Sequence, residues 1–495
     1  MVSVRRRLPE IKWNIVWGIV ITLTFLTLLA FRLEFFHSGP EPVASTQKVP
    51  ANRPAESWMN IYQNKKKIGF VHRTFSALDK GYYFSENVLM QISTMNVPQV
   101  LKMATEGYLN PDMTISSFNF DLNSSLFRFS ANGVVVKNKL ILYSGLPNAQ
   151  QKSEIPLPTI PHMSGSVYDA AFQADLAKDT TRSYSIFDPS TLGMRTIKIT
   201  RNADEIIPVM RKRVLTRKYC ADFLGAKNCA WLSKEGEVLK ETGILGLSLE
   251  KVSHDQAMED MPIQGGVDFT QIASVTANGK ITAPDKLSEL KIKIEGIRGL
   301  FLIIQGGRQN FHHGILTITR EKLPAPASQN KEIPAVLNQY LQPSPLIQSD
   351  NPQLKAQVEK IVKPADLPEQ KVKKIVHWVY HNIRKKPVLS VPNALEVLNN
   401  KEGDCNEHAV LTAALLRASG IPTQIEAGLV YQQGRFYYHA WNIAYIGSWI
   451  TADSVFNQFP ADVTHIRLVR GEGSEQLDLM GVMGKIKLEL LEQTK

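Results

Sequence analysis

The stretch GDCNEHAVLTAALLRASGIP, residues 403–422, decides the interpretation of the C-terminal part of this chain. It predicts a helix from Cys405 to Ser419, because strong helix formers, mainly Ala and Leu, dominate it. Gly420 and Pro422 predict the C-terminal end of that helix. Cys405 is therefore expected in the first turn, where free N–H groups and the helix dipole favour an anion. We expect this placement to lower the pKa of the thiol and to offer donors to an oxyanion.

The chain has only three cysteines. Cys220 and Cys229 lie nine residues apart in YCADFLGAKNCAWL, with Gly225 between them as a natural turn. They either form a disulfide or remain two small buried thiols on adjacent strands, since sequence does not establish the separation of their Cα atoms. Cys405 is the odd cysteine in both cases. An unpaired thiol in an oxidising compartment is a candidate reactive group.

An uncharged apolar segment lies near the N-terminus. WNIVWGIVITLTFLTLLAF, residues 13–31, is long enough to span the hydrocarbon core of a bilayer. Arg5–Arg7 precede it, which predicts a cytoplasmic N-terminus by the positive-inside rule. A cleaved signal peptide is the alternative, but Arg32–Phe35 makes a poor cleavage site. We predict a cytoplasmic tail at 1–12, a single-pass signal anchor at 13–33, a linker at 34–57 and an extracytoplasmic remainder.

Short alternating strands dominate the middle of the chain. Runs such as LKIKIEGI and HGILTITRE alternate apolar and polar residues, as half-buried antiparallel strands do. Polar turns separate pairs of such runs at Gln63–Lys65, Lys137–Lys139 and Lys234–Gly236. We predict a β-rich antiparallel domain at 58–323, with an internal boundary near Met261-Pro262.

A linker rich in Pro and Ala, residues 324–334, precedes a region in which the spacing of apolar residues changes. Apolar residues then recur at helical spacing, as in LPEQKVKKIVHWVYHNI, where Val372, Ile375, Val376, Val379 and Ile383 make one stripe. Alternating strand-like runs follow the opening stretch. Residues 335–495 are therefore predicted to form an α+β domain, and no internal repeat is evident in the chain.

The formal net charge of +11 is spread along the chain in short runs, such as Lys65–Lys67 and Arg211–Arg213. A dedicated nucleic-acid binder usually clusters its charge and carries a recognisable motif, and the sequence shows neither. We predict no nucleic-acid partner. A weak attraction to anionic lipid headgroups agrees better with the predicted anchor.

Two further residues complete a possible catalytic set with Cys405. A thiol nucleophile needs a histidine to activate it and a third group to orient that histidine. His439 lies in the strand-like run YYHAWNIAYI, and Asp453 lies in the next run, SWITADSVF. Adjacent antiparallel strands would bring His439 and Asp453 side by side, and a helix packed on their sheet would present Cys405 to them.

These motifs resemble the bacterial transglutaminase-like domain, a papain-related fold. The resemblance rests on GDCNEHAVLTAALLRASGIPTQIEAGLVY, FYYHAWN and WITADSVFNQFPADVTHIRL, and extends over roughly 343–471. It implies that Cys405 is the nucleophile, His439 the general base and acid, and Asp453 the orienting carboxylate. The sequence departs from the family pattern at Ile443, where an acidic residue is common, and after Asp453, where Ser-Val replaces Pro-Thr. The upstream strands resemble, more weakly, the β-rich region that often precedes this domain in bacterial envelope proteins.

Other roles for these residues stay open at this point. Cys405 could be a buried core thiol, or it could share a metal with His408 and His439. Structural zinc usually takes four ligands, so we predict no metal and no cofactor, and we expect His408 to make a structural hydrogen bond. Trp441 and Trp449 are expected to be core aromatics.

The predicted function is acyl transfer by a cysteine enzyme anchored in the inner membrane, with its bulk in the periplasm. Hydrolysis of a peptide or isopeptide bond in a protein or peptide substrate is the first expectation, and amine transfer is the second. The competing class is a non-catalytic scaffold whose β-rich domain binds an envelope partner.

Overall fold

The computed structural model describes residues 54–495 except 95–96, 125–127, 146–149, 224–225, 244–245, 260–273, 298–302, 330–331, 387–392, 473–478 and 480–483. The described residues belong to one compact unit, 44–495. The segment predicted to anchor the chain, 13–33, lies outside them. Among the helices that the structure describes, none is long and apolar enough to cross a bilayer.

A sheet of 16 strands confirms the prediction of a large β-rich domain. Strands β1 to β8 pair antiparallel in chain order. On its other edge β1 pairs with β16, and the sheet continues from there in the order β15, β14, β13, β11, β10 and β9. Strand β12 pairs with β13 alone. The three predicted polar turns join β1 to β2, β6 to β7 and β14 to β15. The strands are β1 Glu56–Gln63, β2 Lys66–Leu78, β3 Gly81–Thr94, β4 Val97–Leu109, β5 Ile115–Asn123, β6 Arg128–Val136, β7 Lys139–Gly145, β8 Gln151–Pro156, β9 His162–Met163, β10 Thr181–Asp188, β11 Gly193–Arg201, β12 Glu205–Val209, β13 Lys212–Phe223, β14 Ala226–Leu232, β15 Val238–Thr242 and β16 Leu247–Val252.

A disulfide joins two neighbouring strands of this sheet. Cys220 on β13 lies directly opposite Cys229 on β14, with 4.1 Å between their Cα atoms, and the two sulphurs are bonded. The sequence left this pairing open, because the spacing of two cysteines does not define the register of their strands.

Two smaller sheets follow. Each contains strands from both sides of the linker that was predicted to separate the two domains. In the first, β17 and β25 both pair with β24, β24 pairs with β23, and β23 pairs with β26; in the second, the order is β19-β20-β18-β27. Strands from within 58–323 therefore pair with strands from within 335–495, because an alternating pattern predicts a strand but not its partner. The strands are β17 Ser274–Thr276, β18 Glu289–Glu295, β19 Gln309–His312, β20 Ile315–Thr319, β23 Thr423–Gln432, β24 Arg435–Tyr445, β25 Trp449–Ala452, β26 Ile466–Arg470 and β27 Lys487–Thr494, with β21 Arg384–Lys385 and β22 Glu402–Gly403 as a separate parallel pair.

The long helix that begins at Cys405 packs on the sheet that contains β23 and β24, and three other helices pack on that helix. The described helices are α1 Val167–Gln173, α2 His254–Met258, α3 Pro326–Gln329, α4 Pro352–Ile361, α5 Pro368–Asn382, α6 Ala394–Asn400 and α7 Cys405–Ala418. The predicted stripe from Val372 to Ile383 is fully buried on α5 and at its end. Helix α7 is buried on nearly every side and contacts α4, α5 and α6 as well as both strands. A helix enclosed in this way has little freedom to shift, so its first residue is held firmly against the sheet.

Candidate active site

The start of α7 is defined by a capping box. The Asp404 carboxylate accepts the N–H of Asn406 at 2.8 Å, and the Glu407 carboxylate accepts the N–H of Asp404 at 2.8 Å. Glycine is required just before, because a Cβ on Gly403 would lie 2.3 Å from the Cβ of Glu407. The capping box and the glycine before it thus place Cys405 at the first position of the helix, as the sequence predicted.

The thiol of Cys405 lies against the strand that carries His439. Cys405 is half-buried, and the backbone N–H of Ala440, the residue after His439, lies near enough to its sulphur to favour the thiolate. Burial and the negative charge of Asp404 raise the pKa of the thiol well above its usual value, with further contributions from Glu407 and Asp453 that outweigh the N–H of Ala440. The expectation of a lowered thiol pKa was therefore wrong for the free protein.

His439 and Asp453 form a buried hydrogen-bonded pair. Nε2 of His439 donates to Oδ2 of Asp453 at 2.7 Å, and the two side chains are 7% and 1% exposed. Strand β25 pairs antiparallel with β24, and Asp453 directly follows β25. The predicted side-by-side placement of the two residues therefore holds, although Asp453 lies just beyond the strand rather than on it.

A second histidine, which the sequence analysis did not assign, shares the same carboxylate. Nε2 of His465 donates to Oδ2 of Asp453 at 2.8 Å, and its Nδ1 lies 3.2 Å from the carbonyl oxygen of Asp462 and 3.4 Å from the Asp462 carboxylate. His465 lies just before β26, which approaches β23 so closely that a Cβ on Gly428 would lie 1.9 Å from the carbonyl oxygen of Ile466. His465 lies in the motif WITADSVFNQFPADVTHIRL, on which the family resemblance rests. No rule of sequence spacing, however, connects this histidine with an aspartate twelve residues earlier.

The charges of this cluster are strongly coupled. Burial would raise the pKa of Asp453, but the charges and hydrogen bonds of His439 and His465 outweigh it and hold that pKa well below its usual range. Burial would lower the pKa of His465, but its bonds to Asp453 and Asp462 raise it to about 9. His465 is therefore a buried cation at neutral pH, paired with two carboxylates.

Residues from before the predicted linker hold the cluster in place. The guanidinium of Arg308 donates to the carbonyl oxygens of Ala461 and His465 at 2.7 and 3.0 Å. It also lies 3.3 Å from Glu321, whose carboxylate accepts the backbone N–H of Thr451 at 3.0 Å. The loop that carries Asp453 and His465 is thus supported from outside the helical region.

A second buried carboxylate, Glu426, lies on the face of the sheet that carries His439. Glu426 on β23 accepts the indole N–H of Trp441 at 3.0 Å and pairs with Arg467 and Arg470. Trp441 is almost fully buried, as predicted for a core aromatic, and its ring lies 6.1 Å from that of His439 and 5.1 Å from that of His465.

The alternative metal site of Cys405, His408 and His439 is not assembled among the described residues. The one group of three possible ligands that they bring together is His439, Asp453 and His465, with donor atoms within 4.8 Å of one another. The two short histidine–carboxylate hydrogen bonds account for this closeness. Nδ1 of His408 bonds the carbonyl oxygen of Asp404 at 2.7 Å, which is the structural role expected for it.

A pocket of about 460 Å³ opens next to this cluster. Phe456, whose ring lies 5.2 Å from that of His439, and Asp462 belong to its wall. The other lining residues are Lys280, Ile281, Pro284, Asp285, Val430, Tyr431, Gln432, Gln433, Gly434 and Gln458.

Comparison with protein families agrees with this geometry. Residues 355–454 match the transglutaminase-like superfamily. The chain therefore contains a transglutaminase-like domain, and the matched range includes Cys405, His439 and Asp453 but ends before Asp462 and His465. No curated protein gives a significant match.

Several solved structures are similar at low sequence identity. A putative cysteine protease from Cytophaga hutchinsonii is 17% identical, with 42% of this chain and 86% of that chain covered and a TM-score of 0.27. A β-barrel-like protein of unknown function from Brucella abortus is 10% identical, with 40% and 95% covered and a TM-score of 0.32. A putative protease from Parabacteroides distasonis is 11% identical, with 68% and 64% covered and a TM-score of 0.19. At these TM-scores the likeness carries no functional assignment.

Replacing Asp404 with Asn tests the electrostatics of the thiol. Asn caps a helix about as well as Asp, but it removes the negative charge that helps to raise the pKa of Cys405. We expect Asp404→Asn to increase the rate of Cys405 alkylation by iodoacetamide at pH 7 severalfold, measured by mass spectrometry of the intact protein. Asp350→Asn, at an exposed carboxylate, should leave the rate unchanged. An unchanged or slower rate in Asp404→Asn would contradict this account.

The raised pKa of His465 predicts a loss of stability in alkali. Protonation of His465 stabilises the fold fully below pH 6.5, the ordinary value, and this contribution disappears as the pH rises toward about 9. The loss is on the order of 3 kcal/mol between pH 6 and pH 10. His465→Gln should remove this part of the pH dependence in urea unfolding, whereas His381→Gln, at an exposed site, should retain it. Equal slopes in all three proteins would rule out a buried imidazolium.

Proposed function

We propose that this chain is a membrane-anchored, extracytoplasmic cysteine enzyme that hydrolyses peptide or isopeptide amides through Cys405, His439 and Asp453. The observation that carries the proposal is the buried 2.7 Å hydrogen bond between His439 and Asp453, next to Ala440, whose backbone N–H favours the Cys405 thiolate. A nucleophile, a base and a group that orients the base are the elements of covalent amide hydrolysis.

The first step is acylation of the thiol. Because Nε2 of His439 is bonded to Asp453, Nδ1 is the nitrogen that takes the proton from Cys405. The raised pKa of the thiol favours transfer of that proton as the sulphur attacks, rather than a stable thiolate in the free enzyme. The C–S bond forms, the amide carbonyl becomes an oxyanion, and the first-turn N–H of Cys405 is the nearest helix donor to it.

The second step releases the two products. His439 returns its proton to the nitrogen of the amide, the C–N bond breaks, and an amine leaves behind a thioester on Cys405. Water then attacks the thioester with His439 again as the base, the C–S bond breaks, and the thiol recovers its proton. No redox partner or cofactor is needed for this balance of atoms and electrons.

His465 has a positioning role in this scheme. Its bond to Oδ2 of Asp453 fixes the carboxylate that orients His439, and its positive charge offsets part of the charge on Asp453.

Amine transfer is the second candidate within the same mechanism, with an amine instead of water attacking the thioester. The family match favours both reactions equally. Hydrolysis is preferred because water is always present, and the pocket that adjoins the site is open to solvent.

Comparative mass spectrometry of the host's envelope proteins tests the proposed reaction. Purified full chain should create new peptide N-termini or release isopeptide-linked amines, and Cys405→Ala or His439→Gln should reduce the yield at least 1000-fold, as expected for loss of a triad member. Incorporation of dansylcadaverine into the same proteins would assign amine transfer instead. If wild type and both variants gave identical products, the chain would be a non-catalytic scaffold.

The proposed location rests on the apolar segment at 13–31 and on the Cys220–Cys229 disulfide, since disulfides persist in oxidising compartments. We expect a membrane-impermeant maleimide to reach Cys405 in spheroplasts without lysis, with a cytoplasmic thiol protein as the unlabelled control. Labelling of Cys405 only after lysis would place the domain in the cytoplasm.

A further inference from the structure

The hairpin formed by β12 and β13 projects from one end of the large sheet. Its two-residue turn consists of Met210 and Arg211, both in the left-handed region with φ of 45° and 66°. Such turns favour Asn and Gly, because larger side chains are strained at positive φ. The tip thus carries two long side chains, Met210 and Arg211, in place of the residues that such a turn favours.

One face of this hairpin is apolar and exposed. Ile206 and Leu215 lie directly opposite each other and are 53% and 61% exposed, and Met210 at the tip is 46% exposed. Ile207 faces the other way and is buried in a small cluster with Trp231. The hairpin is therefore anchored by one face and offers a contiguous apolar strip on the other.

The tip is also positively charged. Arg211, Lys212 and Arg213 are exposed, and among the described residues no carboxylate forms an ion pair with them. The base of the hairpin differs, since Lys218 pairs there with Glu205. The positive charge at the tip is thus available to an external anion.

The orientation of this tip follows from the strand order. Four antiparallel pairings lead from β1 through β16, β15 and β14 to β13, so β1 and β13 run in the same direction and begin at the same end of the sheet. One row of paired residues contains Asn60, Glu250, Lys240, Trp231 and Lys218. Strand β1 begins four residues before this row and β13 begins six residues before it. With the turn added, the hairpin extends beyond the start of β1 by about 10 Å.

The chain enters the sheet at this same end, through Glu56. The residues before it carry the predicted tether, 34–57, and the uncharged segment, 13–31. The turn that follows β2 and the turn that follows β6 also lie at this end, and each begins with an exposed apolar residue, Leu78 and Val136. Exposed apolar and basic side chains therefore lie at the end of the sheet through which residue 56 enters it.

We propose that this end of the sheet rests on a bilayer that contains anionic lipids. Ile206, Met210 and Leu215 enter the boundary between headgroups and acyl chains, and Arg211, Lys212 and Arg213 pair with lipid phosphates. An apolar strip bordered by unpaired cations matches such an interface on both counts. Contact at this surface restricts how the domain can tilt on its tether.

Site-specific fluorescence of the full chain in vesicles tests the proposal. In a Cys405→Ser background, Met210→Cys is labelled with the environment-sensitive dye NBD, while Cys220 and Cys229 remain in their disulfide. We expect emission at least about twofold higher in vesicles of phosphatidylcholine with phosphatidylglycerol than in phosphatidylcholine alone, with quenching by nitroxide-labelled lipid. Each basic residue near an anionic surface strengthens association about fivefold.

Two comparisons separate this result from non-specific adsorption. Val100→Cys is the matched site, because Val100 is exposed near the start of β4 and therefore lies toward the opposite end of the sheet; its dye should not respond. Replacing Arg211, Lys212 and Arg213 together by Gln should abolish the difference between the two lipid compositions at position 210. A dye at 210 that is not quenched, or that responds like the one at 100, would overturn the proposal. Neither readout depends on activity, so the outcome is independent of the proposed catalysis.

Discussion

The site depends on one buried carboxylate. Asp453 is fully enclosed, and an enclosed carboxylate is tolerated only when charge and hydrogen bonds compensate for lost hydration. Its Oδ1 accepts the N–H of Val455 and of Phe456, and its Oδ2 accepts both histidines. Every element that supplies one of these donors has to be in place before the carboxylate can be buried as an anion. The position of His439 relative to Cys405 is therefore tied to the folding of the whole sheet.

The support for this carboxylate comes from both sides of the predicted linker. Arg308 holds the loop before β26, and Glu321 holds the backbone of β25, although both precede residue 324. Strand β27 returns from the C-terminus to pair with β18. The candidate site is thus assembled from residues well before the helical region as well as from within it. A division at 324–334 separates segments that the hydrogen bonds join.

Local and environmental effects oppose each other at Cys405. A helix start favours a thiolate through its free N–H groups and its dipole. Desolvation and the carboxylates of Asp404, Glu407 and Asp453 disfavour it, and here they are stronger. Two of those three carboxylates are also structural, since Asp404 and Glu407 form the capping box that positions the thiol. The residues that place Cys405 at the start of the helix therefore also keep its thiol protonated.

The sequence by itself determined those features that depend on local periodicity and short-range chemistry. These include the helix that begins at Cys405, the strands of the β-rich domain, the buried stripe on α5 and the identity of the thiol, imidazole and carboxylate that the fold brings together. Tertiary structure alone decided which strands pair, that Cys220 meets Cys229, and that Asp462 and His465 join the cluster. Pairing between distant segments depends on packing that periodicity does not encode. The pKa of the thiol was decided in the same way, because burial and neighbouring charges arise only when the chain has folded around it.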